Sequence, residues 1–381
     1  MRYSPRLRRC RGGRDVALQN PCEEQELMMK MMHLGVDGPE VSRLGLGCMR
    51  MSGPLASRND AESVATIMGA LDAGLNFLDT GDYYGAGHNE TLVSQVIRHR
   101  REKAFLSVKF GGMRSASGAY LGIDVRPAAV KNFAVYSLQR LGVDVIDLYQ
   151  PGRLDPDVPV EDTVGAVADL IAEGKVRYLG LSEANTQQLR AGKRVHPVTA
   201  LQIEYSLATR FIEPEILPAA RELGVGIVAD GITGHGLLTG ALTADPTLSD
   251  QRGRSPRLQG DNLVRNLEKV DLLREIAGGT GCSLTQLALA WVLSRGQDIL
   301  ALVGMSRRAR IAENLEALDI VLTDSTLAEG HCIRTRRHRR GPLPRRTDAP
   351  VSSLALTVVG QAIVVTVVKT VVPETVRGSA A

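Results

Sequence analysis

The stretch Leu75-Asn76-Phe77-Leu78-Asp79-Thr80-Gly81-Asp82-Tyr83-Tyr84-Gly85-Ala86-Gly87-His88-Asn89-Glu90 holds a short apolar run, a polar glycine-rich turn and the start of a helical pattern. It reads as a strand ending in a carboxylate, then a loop, then a helix. The same unit recurs on both sides of it. Strand-like runs lie at 44–48, 76–79, 105–110, 145–150, 178–182, 200–205, 226–229 and 300–304. Helical patterns lie at 61–73, 89–100, 127–141, 160–173, 186–194, 216–223, 284–294 and 308–318. Short strands alternating with helices predict βαβ units on a parallel sheet. Eight of them in one chain predict an α/β fold, a (β/α)8 TIM barrel with non-barrel extensions at both ends. A doubly wound sheet is the rival. No GxGxxG turn follows any of the strands, so the fingerprint of that rival is missing.

Composition narrows the functional classes. The chain has 381 residues, is 44% hydrophobic and carries a formal charge of +4. The basic excess sits in the ends. Residues 31–323 hold 30 Lys and Arg against 34 Asp and Glu, a balance of −4. The body therefore offers no electrostatic case for binding nucleic acid. The five cysteines (Cys10, Cys22, Cys48, Cys282 and Cys332) are scattered and odd in number. None has metal-ligand spacing, so no metal is expected, and a reducing cytoplasm is the simplest location.

The ends depart from the barrel pattern. Residues 1–30 are basic, lack periodicity and have no continuous apolar segment of the kind a secretory signal needs, so disorder is expected there. Residues 31–327 are expected to form the barrel. Residues 328–381 are a basic, then apolar tail. Seven arginines lie between Arg334 and Arg346, and a mostly apolar, β-branched run follows from Leu354 to Val372. A membrane anchor is one reading of that run, but Gln361 and Lys369 weigh against it. A solvated tail or an added strand pair are the alternatives.

The chemistry sits at strand ends. Asp79 closes one apolar run, Tyr84 follows five residues on, and Lys109 lies inside the next strand-like run. A phenol has a pKa of roughly 10 and donates poorly at neutral pH. A nearby ammonium lowers that value, and a buried lysine needs a counter-charge. Asp79, Lys109 and Tyr84 thus suit a tuned proton donor.

Several segments, in order, resemble the aldo-keto reductase family. They are Leu44-Gly-Leu-Gly-Cys-Met-Arg-Met-Ser52, Gly74-Leu-Asn-Phe-Leu-Asp-Thr80 running on to Glu90, and Val160-Glu-Asp-Thr-Val-Gly165. Further along come Gly174-Lys-Val-Arg-Tyr-Leu-Gly-Leu-Ser-Glu183, Leu201-Gln-Ile-Glu-Tyr-Ser206 and Leu287-Ala-Leu-Ala-Trp-Val292. The resemblance spans roughly His33 to Leu327. It implies an NADPH-dependent oxidoreductase that reduces aldehydes or ketones at the C-terminal mouth of the barrel, with a small carbonyl compound as substrate. It makes Asp79, Tyr84 and Lys109 three members of the family's catalytic tetrad, with Tyr84 as general acid. Tyr83 is the competing tyrosine, with packing or pocket lining as its plainer role. Ser182 and Gln202 match the residues that hold the nicotinamide carboxamide. Gly304, Ser306, Arg307, Arg310, Glu313 and Asn314 match the site of the adenosine 2′-phosphate, where arginines and amides at a helix start suit a dianion.

Two positions depart from the family pattern. Aligned on Arg153, the tetrad histidine is replaced by Gly152, which leaves room for a bulkier substrate, a water, or His88 or His235. The nicotinamide-stacking tyrosine is replaced by Asp230. These departures keep open an alternative, a cofactor-binding regulatory or assembly subunit with little turnover. The segment 243–262 is expected to be a loop over the cofactor. Substrate identity and oligomeric state are not legible, because the loops that shape such pockets vary freely.

Overall fold

The computed structural model describes residues 29–53, 58–243, 255–323 and 326, with the backbone alone at 354–359 and 362–367. The chain opens with a hairpin, β1 (Met31–His33) and β2 (Glu40–Ser42), and enters the barrel at β3 (Leu44–Gly47). Then come α1 (Asp60–Asp72), β4 (Phe77–Gly81), α2 (His88–Ile97) and β5 (Phe105–Phe110). A small hairpin, β6 (Gly112–Arg114) and β7 (Tyr120–Ile123), precedes α3 (Pro127–Leu141). The alternation resumes with β8 (Ile146–Pro151), α4 (Val160–Ala172), β9 (Val176–Ser182), α5 (Thr186–Val195), β10 (Ala200–Glu204), α6 (Ile216–Glu222) and β11 (Gly226–Asp230). Two helices, α7 (Gly260–Thr280) and α8 (Leu284–Ser294), separate β11 from β12 (Ile299–Gly304), and α9 (Ala309–Glu316) follows.

Strands β3, β4, β5, β8, β9, β10, β11 and β12 pair in parallel and close into a barrel, β12 meeting β3 through Ala301–Leu44 to Gly304–Gly47. This is the (β/α)8 barrel, and each of its strands overlaps one of the eight runs read from the sequence. Helix ends obey local rules. Pro127 opens α3, where a missing N–H costs nothing, and Gly142 ends it in the left-handed region. Asn185 with Gln188, and Ser283 with Gln286, form capping boxes on α5 and α8.

Two hydrophobic cores hold the barrel. The larger lies between the strands and the helices. The smaller fills the barrel's lower interior with Phe77, Phe105, Leu148, Ala200, Val228, Leu300 and Leu302, and the first hairpin plugs it with Met32, Leu34 and Val41. Each of the larger side chains contributes roughly 1.5–3 kcal/mol by leaving water. Side chains alternate along a strand, so each interior row steps by two residues. The rows change character as they climb. Phe77 is followed by Asp79, Phe105 by Ser107 and Lys109, Leu148 by Gln150 and Gly152, Ala200 by Gln202 and Glu204, and Val228 by Asp230. The barrel is apolar at its base and polar at the C-terminal mouth. Gly45 is required by space, since a Cβ there would lie 2.9 Å from Phe77 and 3.1 Å from Leu300.

Three features go beyond the sequence reading. The β1–β2 hairpin and the β6–β7 hairpin were not foreseen. Nor was α7, which begins inside the expected 243–262 loop; residues 244–254 lie outside the described ones. Its buried stripe is Leu263, Asn266, Val270, Leu273 and Ala277, a helical spacing, but it includes a polar residue while Val264 and Leu272 are exposed. That mixture blurs the periodic signal. In the tail, β13 (Leu354–Val359) and β14 (Ala362–Val367) pair antiparallel, the added strand pair among the alternatives. Among the described residues no single helix is long and apolar enough to cross a membrane. The expected disorder of residues 1–30 falls almost wholly outside the described residues.

Candidate active site

The wall of the mouth formed by β4 and β5 brings Asp79 and Lys109 together. The Lys109 Nζ donates to both Asp79 oxygens, at 2.6 Å to Oδ1, and the Ser107 Oγ donates to Asp79 Oδ2 at 3.2 Å. Both partners are buried. Burial pushes the Asp79 carboxyl up, against the pull of the Lys109 ammonium. Removing either partner would leave a buried charge uncompensated.

Tyr84 lies on the loop after β4 and is 7% exposed, with Lys109 Nζ 5.8 Å from its ring centroid. Its phenol is pushed well up, first by burial and then by Tyr83, Asp79 and Asp230. This is the reverse of the lowering expected from Lys109. The reason is burial first: the phenolate would be taken out of water, Asp79 neutralises the ammonium at contact distance, and Tyr83 and Asp230 add to the rise. Tyr84 is held as a neutral, protonated donor.

Gly152 does not leave an open space. A Cβ on it would lie 2.4 Å from Tyr83 Oη and 2.8 Å from Tyr83 Cε1. Tyr83 meets Tyr84 edge to face, their ring centroids 4.9 Å apart. His88 is engaged elsewhere, its Nδ1 at 2.8 Å from Ser52 Oγ and its Nε2 at 3.2 Å from Asp60. His235 lines a cavity of about 590 Å³ together with Glu183, Glu204, Thr209, Phe211 and Arg257.

Across the mouth the sheet register sets Ser182 beside Gln202, and Glu204 beside Asp230. Gln150 Nε2 donates to Ser107 Oγ at 3.0 Å and to Gln202 Oε1 at 2.8 Å, and Gln202 Nε2 donates to Asp230 at 3.2 Å. A chain of polar contacts therefore crosses the barrel from Asp79 to Asp230. An amide has two donors and two lone pairs, so Gln202 retains capacity for a bound carboxamide. Burial pushes the Asp230 carboxyl up. Glu183, in a left-handed conformation at φ +56°, accepts from the Glu204 amide at 3.1 Å and pairs with Arg153 at 3.1 Å. Arg257 pairs with Glu204 at 2.8 Å and ties the segment before α7 to β10.

The start of α9 gathers the expected phosphate residues. Gly304, Ser306, Arg307, Arg308 and Arg310 are exposed. The Arg308 amide donates to Glu62 Oε1 at 2.8 Å, and Arg310 pairs with Glu313, whose other oxygen accepts from Ser283 Oγ at 3.0 Å. Part of the positive charge is thus already matched by carboxylates. Asn314 is buried, and its Oδ1 has no partner among the described residues. An orphaned acceptor beside exposed arginines fits a nucleotide cofactor, whose base brings a donor and whose phosphates bring negative charge. No group of His, Cys, Asp or Glu among the described residues could hold a metal ion.

Sequence reasoning missed Ser107, Gln150, the pairing of Arg153 with Glu183 and the Glu204–Arg257 pair. The signal for the first two was available, because both fall on interior rows two residues from a recognised site residue.

The chain is similar to known proteins over most of its length. The model of the aldo/keto reductase family matches residues 43–331. A protein of Glycine max named "Probable aldo-keto reductase 1" is 38% identical over 311 residues, 80% of this chain and 88% of its own length. The glycerol dehydrogenase of Gluconobacter oxydans superposes with a TM-score of 0.72 at 30% identity, over 81% of this chain and 95% of that one. An aldo/keto reductase of Klebsiella pneumoniae, solved in complex with NADP and acetate, gives a TM-score of 0.64 at 27% identity, over 82% and 98%.

Proposed function

The chain belongs to the aldo/keto reductase family, a family of NAD(P)H-dependent carbonyl reductases, and we propose that it uses NADPH to reduce small aldehydes or ketones, with Tyr84 as the general acid. The observation that carries this reading is the buried Lys109–Asp79 pair beneath a buried, protonated Tyr84 at the polar end of an otherwise apolar barrel.

When bound, the nicotinamide cofactor supplies the hydride. Ser182 and Gln202 would hold its carboxamide, and Ser306, Arg307, Arg310 and Asn314 its adenosine 2′-phosphate half. Tyr84 donates its phenolic proton to the carbonyl oxygen. The oxygen becomes an alkoxide as its carbon is reduced, and an alkoxide is a far stronger base than a phenolate, so the transfer runs downhill even from a raised pKa. The cation beside the phenolate left behind is the Lys109 ammonium, 5.8 Å from the ring centroid and held by Asp79. The Klebsiella structure, which carries NADP, supports this cofactor over others.

One observation favours a second reading, a cofactor-binding subunit with little turnover. Asp230 puts a carboxylate in the mouth, hydrogen-bonded by Gln202, where an aromatic ring would stack on the nicotinamide. Fluorescence titration with NADPH and NADH, followed by oxidation with 4-nitrobenzaldehyde, separates the two. The reductase reading expects NADPH binding with turnover that falls about 10³-fold in Tyr84→Phe. Binding without turnover would establish the second reading instead.

A further inference from the structure

The residue opposite Gly152 is set by two glycines. Tyr83 threads between Gly112 and Gly152. A Cβ on Gly112 would lie 2.6 Å from Tyr83 Cγ, and one on Gly152 would lie 2.4 Å from Tyr83 Oη. Neither glycine has a positive φ, so neither is demanded by backbone conformation. Both are demanded by the phenol. The slot is fixed from outside as well. Arg114 Nε donates to the Tyr83 carbonyl at 3.0 Å, and the Gly152 amide donates to Phe110 O at 2.8 Å. The ring leans on Tyr84 edge to face.

We propose that Tyr83 is a second catalytic tyrosine: its hydroxyl stands where a side chain at position 152 would begin, and donates a hydrogen bond to the carbonyl oxygen beside the Tyr84 proton donor. This rests on the reductase reading given above. The step balances without further groups. Hydride goes to the carbonyl carbon, the proton comes from Tyr84, and Tyr83 keeps its proton and contributes only a hydrogen bond. Burial pushes the Tyr83 phenol up, so it remains a donor throughout the neutral range. A preorganised donor aimed at developing negative charge acts on the transition state more than on the ground state. The glycine at 152 is then the partner of Tyr83, not a lost residue.

Tyr83→Phe keeps the ring in its slot and removes only the hydroxyl. A fall in kcat of about 10²-fold is expected, with NADPH affinity unchanged within about twofold. A positional exchange adds a gain-of-function arm. Tyr83→Val is expected to be slow, Gly152→His slow because its Cβ meets the phenol, and the double variant at least about tenfold faster than Tyr83→Val. Tyr84→Phe is assayed alongside. Loss in both Tyr84→Phe and Tyr83→Phe, with recovery in the exchange, supports the proposal. Loss in Tyr84→Phe alone, with Tyr83→Phe at wild-type kcat, overturns the role of Tyr83 and leaves the reductase reading standing. A folded double variant no faster than Tyr83→Val also overturns it. An inactive wild type, or a fully active Tyr84→Phe, overturns the reductase reading and the Tyr83 role together.

Discussion

The two ends of the barrel mouth are built on different principles. At the β4–β5 end, Asp79, Lys109, Ser107 and Tyr84 are buried and arranged around one another before any ligand arrives. At the α9 end, Arg307, Arg308 and Arg310 are exposed, and two of them spend their charge on Glu62 and Glu313. The difference follows from solvent. Buried charges must satisfy one another within the protein, so their geometry is settled by folding. Exposed arginines are screened and form weak pairs that a phosphate dianion can replace. Side-chain geometry is therefore preorganised at one end, and positive charge is left accessible at the other.

The contrast is broken or sharpened by substitution at each end. The largest effect is expected for Lys109→Met, which strands the Asp79 carboxylate: about 3–5 kcal/mol of stability should be lost in denaturant titration, along with turnover. Adding Asp79→Asn should recover much of the stability but none of the rate. If Lys109→Met is as stable as wild type, the pair is not the buried anchor described here. At the other end, Arg307→Ala with Arg310→Ala should leave stability within about 0.5 kcal/mol and weaken NADPH binding about 10–100-fold, with NADH unchanged. Equal weakening of both cofactors would remove the 2′-phosphate assignment.

The smallest effect concerns Asp82, next to Tyr83. Burial, reinforced by Glu90, pushes its carboxyl up to about 7. The native state then keeps a proton that the unfolded state has lost, so stability falls as pH rises from the ordinary carboxylate range to about 7. Asp82→Asn should match wild type at acid pH and melt about 2–4 °C higher at pH 8. Equal melting temperatures at pH 8 would show that burial does not raise the Asp82 carboxyl.

Much of this was legible from residues alone. The eight strands could be read because each is a short apolar or β-branched run set between helical patterns. Asp79 and Lys109 could be paired because a buried ammonium requires a counter-charge. The helix α7 escaped because Asn266 lies in its buried stripe while Val264 and Leu272 face solvent. The direction of the Tyr84 shift escaped for another reason. It depends first on how deeply the closed barrel buries the phenol, then on Tyr83, Asp79 and Asp230, the last from a distant part of the chain brought near only by barrel closure.

By itself, then, the sequence determined the barrel, its family and the identity of the charged residues at the strand ends, because alternation and apolar runs are local signals. Tertiary structure alone decided what stands against Gly152. Gly112, Gly152 and Tyr83 come from three separate segments, and no local pattern marks two glycines as the walls of one phenol's slot. That is a fact of packing between the start of β6, the segment just after β8 and the loop after β4, and packing is set by the closed barrel as a whole.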